Sequence, residues 1–256
     1  MKLALAIGRK EFLGIVKTPM FFSLMSVCSL MWSYNFIRSL LLFAGRSMNN
    51  MTEAVSGYEY NIHYAVFAGH LDFVNFILVV LIPALTMKLV AEEKKKETLG
   101  LLLTSPVTSA EITVGKFIGG YFSGLVVLLI SLMFPGLALF LGDFPIGPLA
   151  SSYIGLLLVT GLYTAVGLFF SSLTESPIVA VILGVCANIV FWNLGKELQQ
   201  MSSEWMVKVF EQISLGVHFT HFLKGGVALS SIVYLLSLTA LFVYFAERVI
   251  ESSRWR

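Results

Sequence analysis

Three groups of residues in this 256-residue sequence have types and spacings that could do chemistry. Glu92 and Glu93 are adjacent, as in an intramembrane protease built on paired glutamates. Such an enzyme also needs an arginine close behind and histidines in later apolar segments. Here Lys94, Lys95 and Lys96 follow, and His218 and His221 fall on the other side of the spans traced below. Gly115 and Lys116 look like the end of a phosphate-cradling loop, but Phe117 stands where Ser or Thr would hold magnesium, and no glycine precedes Gly115 by five residues. ATP is therefore not expected on this chain. His218 and His221, three apart, share one helix face on which a metal could sit, but no third ligand is evident and they read as polar residues of an interface. The sequence assigns no catalytic residue, no metal ligand and no cofactor to this chain.

The elements that hold these residues explain the rest. The chain is 57% hydrophobic and only 12% charged, with a mean hydropathy of +0.85, far from the globular mix of roughly 25% charged. It reads as an all-α integral membrane protein, in which the useful unit is a helix of about 20 residues. Residues 1–18 read as a basic helix lying at the membrane interface, ended by Pro19. Spans are expected at 20–44, 71–90, 117–141, 149–170, 178–194 and 230–246. Gly, Pro and Ser mark the turns between the later spans. Pro83 bends the second. The polar stretch from Arg46 to His70 reads as a loop outside the bilayer. Residues 195–229 read as two short helices on, or dipping into, the outer leaflet.

Lysine and arginine set the orientation. With the N-terminus inside, twelve lie on that side and five on the other, which puts both termini and residues 91–116 in the cytoplasm. The net charge of +2 is too small to suggest nucleic acid. Cys28 and Cys186 lie inside apolar runs and form no disulfide framework. From Phe117 onward no span centre holds an ionisable residue, Asn188 being the most polar group there, so an ion-coupled carrier is not indicated. Gly120 and Gly124 are spaced for close approach by another helix.

The segment 91–117, AEEKKKETLGLLLTSPVTSAEITVGKF, holds the sharpest signal. Its charges bring the second span out of the lipid, with Glu92 and Lys96 spaced as an i,i+4 pair. TLGLLLTSP then places Leu99, Leu102 and Leu103 on one face of a short helix, apolar surface of the kind that marks a docking site. Pro106 stops that helix, and Ser109 can cap the next.

Glutamate-rich charge followed by a TLELLLTSPVS-like run and by GKF at the start of a span resembles the permease subunits of ABC-2 type ABC transporters. RKEF with TP before the first span is similar to their N-terminal interfacial helix. Residues 213–255 resemble the branch that includes gliding-motility-associated and nitrous-oxide-reductase-maturation permeases. There a His-Phe and Arg/Lys-Gly element precedes the last span and ESRRW-like residues close the chain. Gly100 departs from the pattern, standing where relatives often carry glutamate.

The resemblance implies one ABC-2 type transmembrane domain over 1–256, with six spans. The chain would be a permease of an exporter that pairs with a second permease chain, identical or not, and docks a cytoplasmic ABC ATPase dimer. ATP and magnesium would be held by that ATPase. The residues implied for coupling are Glu92, Glu93, Thr98, Leu99, Leu102, Leu103, Ser105 and Pro106, with Lys10, Glu11 and Phe12 as secondary contacts. The cargo expected from the uncharged spans is apolar or amphipathic, and the location a bacterial inner membrane, in contact with its lipid. The alternative is a mechanotransmission or scaffold subunit that passes ATPase-driven motion to an extracytoplasmic partner without transport. On that reading Trp205, His218, Phe219, His221, Phe222 and Lys224 are the candidate outer contacts.

Overall fold

The computed structural model describes residues 2–49, 61–103, 107–138, 144–193 and 212–254, with the backbone alone at 47–49 and 101–103. These residues are 89% helical and contain no strand. The helices are α1 (Lys2–Val16), α2 (Pro19–Asn49), α3 (Ala68–Thr86, entered through a π-helical turn at His63–Phe67), α4 (Ala91–Lys95), α5 (Thr98–Leu103), α6 (Ser109–Ala138), α7 (Ile146–Leu173), α8 (Pro177–Asn193), α9 (Leu215–Leu223) and α10 (Leu229–Ser252).

Among the described residues five helical stretches are long and apolar enough to cross a membrane: Pro19–Arg46, His63–Lys95, Ser109–Ala138, Ile146–Leu173 and Leu229–Ser252. The helix expected as a sixth span, α8, is apolar but only 17 residues long. The most buried helix is α7, enclosed by α3, α6, α8, α9 and α10. Small residues on α6 let it pack tightly: a Cβ at Gly120 would lie 3.0 Å from Thr164 Cγ2, and one at Gly124 only 2.6 Å from Thr160 Cγ2. The expected approach at Gly120 and Gly124 is thus made by a helix of the same chain.

Helix boundaries follow local chemistry. The Thr18 hydroxyl accepts from Phe21 N (3.3 Å) ahead of Pro19, which needs no amide partner at the first position of α2. The start of α6 is capped by Thr108 rather than Ser109. Thr108 Oγ1 accepts from Glu111 N (3.2 Å) while the Glu111 carboxylate returns to Thr108, a reciprocal capping box.

Two segments differ from expectation. Much of the stretch read as a loop at 46–70 is helical: α2 continues to Asn49, and the chain is helical again from Ile62. His63, Val66, Phe67 and His70 are fully buried, with Phe36 of α2 against both Phe67 and His70. Aromatic and histidine side chains, polar by sequence tally, here serve as packing surface. The second is α9, within 195–229, which sits on the chain itself. Its Phe222 backs onto Gly155 of α7, Ser152 Oγ donates to Phe222 O (3.2 Å), and Gly225, at φ +83°, turns the chain away beside Pro148.

Candidate functional site

The basic helix α1 packs along the first turns of α6. The contact runs through small residues, since a Cβ at Gly115 would lie 2.8 Å from Ala4 O, and one at Gly119 2.6 Å from Glu11 Cβ and 2.8 Å from Gly8 O. That closeness brings the Glu11 carboxylate to Lys116, one helical turn from Gly119 on the same face. Arg254, near the C-terminus, donates through Nη2 to Val107 O (2.9 Å). The N-terminal helix, residues 91–103 and 107–109 and the end of α10 therefore share one end of the bundle.

Lys116 organises this end. Among the described residues it is the one charged side chain that is fully buried. Its ammonium donates to Glu11 Oε1 (3.1 Å) and to the carbonyl of Leu89, and lies 2.8 Å from Glu93 Oε2, in an ion pair set off the hydrogen-bond line. Lys10 approaches Glu11 and Glu93 at 3.8 and 3.9 Å. One buried cation thus ties α1, the turn after α3, α4 and α6 together. Two carboxylates and a carbonyl meet the requirement that a buried ammonium be paired.

The turn from α3 to α4 is fixed from α7. Ser171 Oγ donates to Met87 O (2.8 Å) and accepts from Val90 N (3.2 Å) and Ala91 N (3.1 Å), satisfying three backbone groups that the break after Pro83 leaves free. Lys94 Nζ donates to the adjacent Ser172 O. Glu92 pairs with Lys96 at 2.7 Å, at the spacing the sequence predicts, and this contact holds its carboxyl below the usual carboxylate range. The chain then passes Glu97, which is held at φ +57°, into α5.

The expected coupling residues divide. Lys10, Glu11 and Glu93 meet around Lys116, and Glu92, next to Glu93, pairs instead with Lys96. Phe12 is half-buried, its ring 6.5 Å from that of Phe122. Thr98 is exposed and bonds back to Glu93 O (3.3 Å). Leu99, expected to face a partner, turns inward at 5% exposure, into a cluster with Leu89, Val90, Val107, Ile112, Leu168 and Ile250. Its burial comes from the apolar surface that α6, α7 and α10 expose together with the turn before α4 at this end. Leu102 and Leu103 lie on the backbone of α5. Ser105 and Pro106 lie outside the described residues.

At the opposite end, Phe219 and Phe222 are fully buried, Phe219 against Trp192 (5.6 Å), so the two aromatics expected as outer contacts belong to the chain's own core. His218 is half-buried and both its ring nitrogens are engaged, Nδ1 with Ser231 Oγ and Nε2 with Gln212 O, each at 2.9 Å. Only His221 and Lys224 of the described set are exposed. Trp205 lies outside the described residues.

Sequence reasoning met Lys116 as part of a failed nucleotide loop and of the GKF motif, and missed its place as a hub. The available signal was Glu11 on a helix whose Ala4 and Gly8 match Gly115 and Gly119 in spacing. Ser171 carried no signal at all.

No curated protein matches the chain. Residues 5–201, most of its length, match the family model described as ABC-2 family transporter protein, a match that takes in most of α1, the Lys116 hub and all of α2 to α8. The chain belongs to the ABC-2 family of transporter proteins, as an ABC transporter permease with several helices suited to crossing a membrane.

Proposed function

We propose that the chain is the transmembrane subunit of an ABC exporter, driven by a separate cytoplasmic ATPase. The Lys116 end faces the cytoplasm of a bacterial inner membrane, both termini lie there, and α8 belongs to the sixth span. Family membership implies partnership with an ABC ATPase. The observation that carries the reading is the hub itself, because Lys116 links the segment 92–98, exposed from Lys95 onward, to the long helix α6 through buried charge. A push on α4 and α5 is thereby a push on α6 and on α1. Packed elements of this kind move as rigid bodies between discrete arrangements, and ATP binding shifts the balance between them.

On this reading Thr98, Leu102, Leu103, Ser105 and Pro106 are the residues that contact the ATPase, while Leu99 anchors α5 to the permease. Glu92 and Glu93 hold the segment in register, with Lys10, Glu11 and Phe12 as secondary contacts. The protein acts with a second permease copy or homologue. Its cargo is apolar or amphipathic, since among the described residues the one fully buried charged side chain is at the hub. Transport is favoured over pure transmission to an outer partner by the burial of Phe219 and Phe222, which removes two aromatic anchors from the outer surface.

The test is co-purification of the ATPase with Leu102→Asp/Leu103→Asp. Loss of the complex, with the permease still folded by thermal unfolding, is expected. Retained binding together with undiminished stimulation of ATP hydrolysis overturns the assignment.

A further inference from the structure

Beside the hub lies a cleft of ≈ 730 Å³ between α1, the start of α2 and the end of α3. Its size is within the range of small-molecule sites, roughly 300–1,000 Å³. The floor is apolar, made by Ile15, Met20, Phe21, Leu85 and Leu89, and the rim is charged, with Lys10, Lys88, Lys96 and Glu92. Met20 and Phe21 belong to the first turn of α2, and Leu85 to the last turn of α3. The cleft therefore sits where two apolar helices end, at the level at which a bilayer changes from acyl chain to headgroup.

The charges around it are unequally satisfied. Glu11 and Glu93 are committed to Lys116 at 3.1 and 2.8 Å, and Glu92 to Lys96 at 2.7 Å. Lys10 reaches only those already shared glutamates, at 3.8 and 3.9 Å, with its side chain 71% exposed. Lys88 makes no hydrogen bond or ion pair among the described residues and is exposed. Two exposed ammonium groups thus border the cleft sharing carboxylates already committed elsewhere, Lys10 with Glu11 and Glu93 and Lys88 with Glu92, above a floor that offers nothing to a hydrated anion.

We propose that this cleft binds an anionic phospholipid, its phosphate between Lys10 and Lys88 and its first acyl carbons over Met20, Phe21 and Leu85. The two halves of the site match the two halves of that ligand: cationic rim to phosphate, apolar floor to chain. Filling the cleft would join α1 to α3 and α4 on the side away from α6. The site does not depend on the ATPase reading and is tested on the permease alone.

The experiment uses the full chain in a neutral maltoside detergent, with a phosphatidylglycerol probe carrying a diazirine near the glycerol end of one acyl chain. Adducts are mapped by mass spectrometry. Labelling is expected on peptides covering 15–21 and 84–89, competed by unlabelled phosphatidylglycerol and not by phosphatidylcholine or inorganic phosphate. A lysine facing an anionic headgroup is worth about 1 kcal/mol, so Lys10→Gln and Lys88→Gln should each weaken labelling roughly 5-fold, and the pair roughly 25-fold. Lys88→Arg should keep it, as should Lys95→Gln, which is exposed and outside the cleft. Should the Gln pair unfold, Lys88→Arg and the competition series decide the matter. Labelling spread over the lipid-facing helices, equal competition by phosphatidylcholine, displacement by inorganic phosphate, or wild-type labelling of a folded Gln pair would each overturn the proposal.

Discussion

Replacing Lys116 by methionine keeps the length and apolar stem of the side chain and removes its charge. At 2.8 Å and an effective dielectric of ~20, the Glu93 contact alone is worth about 6 kcal/mol gross, and the Glu11 contact slightly less. Desolvation of the ammonium takes back most of this. The variant does not simply recover that penalty, because two carboxylates remain beside each other with their cation gone. Breaking a buried pair in this way costs about 3–5 kcal/mol. Glu11 and Glu93 keep 16% and 19% exposure and can turn toward water, so the lower end, about 3 kcal/mol, is expected. The loss should be local, detaching α1 and α4 from α6. Hydrogen exchange of the full chain in detergent reads it directly: amides of residues 8–13 and 91–95 should exchange roughly 100-fold faster, at tenfold per 1.4 kcal/mol. Amides at the centre of α7 should not change. Adding Glu93→Gln should restore part of the protection, giving a coupling of about 1 kcal/mol or more. Exchange within twofold of wild type, or strict additivity of the two substitutions, would refute the claim that Lys116 holds this end together.

Other substitutions probe the supports of the hub. Gly119→Leu places a side chain where even a Cβ would lie 2.6 Å from Glu11 Cβ, so α1 must move away; exchange across α1 should rise as it does for Lys116→Met, and an unchanged profile would contradict the packing. Ser171→Ala leaves the Met87 carbonyl and the Val90 and Ala91 amides without their partner, at a cost of about 3 kcal/mol in thermal or denaturant unfolding, against almost nothing for the exposed Ser230→Ala. Glu97→Gly removes a left-handed non-glycine residue at the end of α4 and should stabilise by about 1 kcal/mol, a rise of roughly 2–4 °C in Tm; a fall would mean that the Glu97 side chain holds the turn.

Much of this fold is legible from local signals. Hydropathy marks the long helices, Thr18–Pro19 marks the joint between α1 and α2, and the spacing of Glu92 and Lys96 gives their ion pair. The small faces at Gly120 and Gly124 announce a close helix without naming it. What is not legible depends on contacts distant in sequence. Lys116 and Glu11 are 105 residues apart, and nothing local distinguishes a lysine that will be buried from one that emerges at a helix end. Leu99 looks like docking surface until three other helices close over it. Phe219 and Phe222 look like an outer anchor until α7 supplies Gly155 beneath them. The histidines at 63 and 70 mislead in the same way, since polarity alone assigned them to a loop and burial among aromatic rings overrode it.

The central claim is that the segment between the second and third long helices meets the ATPase. A photo-crosslinking amino acid can be placed at Thr98 and at Gly100, both exposed and the latter with open space around its Cβ position, and as a control at His221, exposed at the opposite end. In membranes containing the assembled transporter, adducts to the ATPase are predicted from positions 98 and 100 and not from 221. Adducts from 221, or none from 98 and 100 in an active complex, would contradict the account.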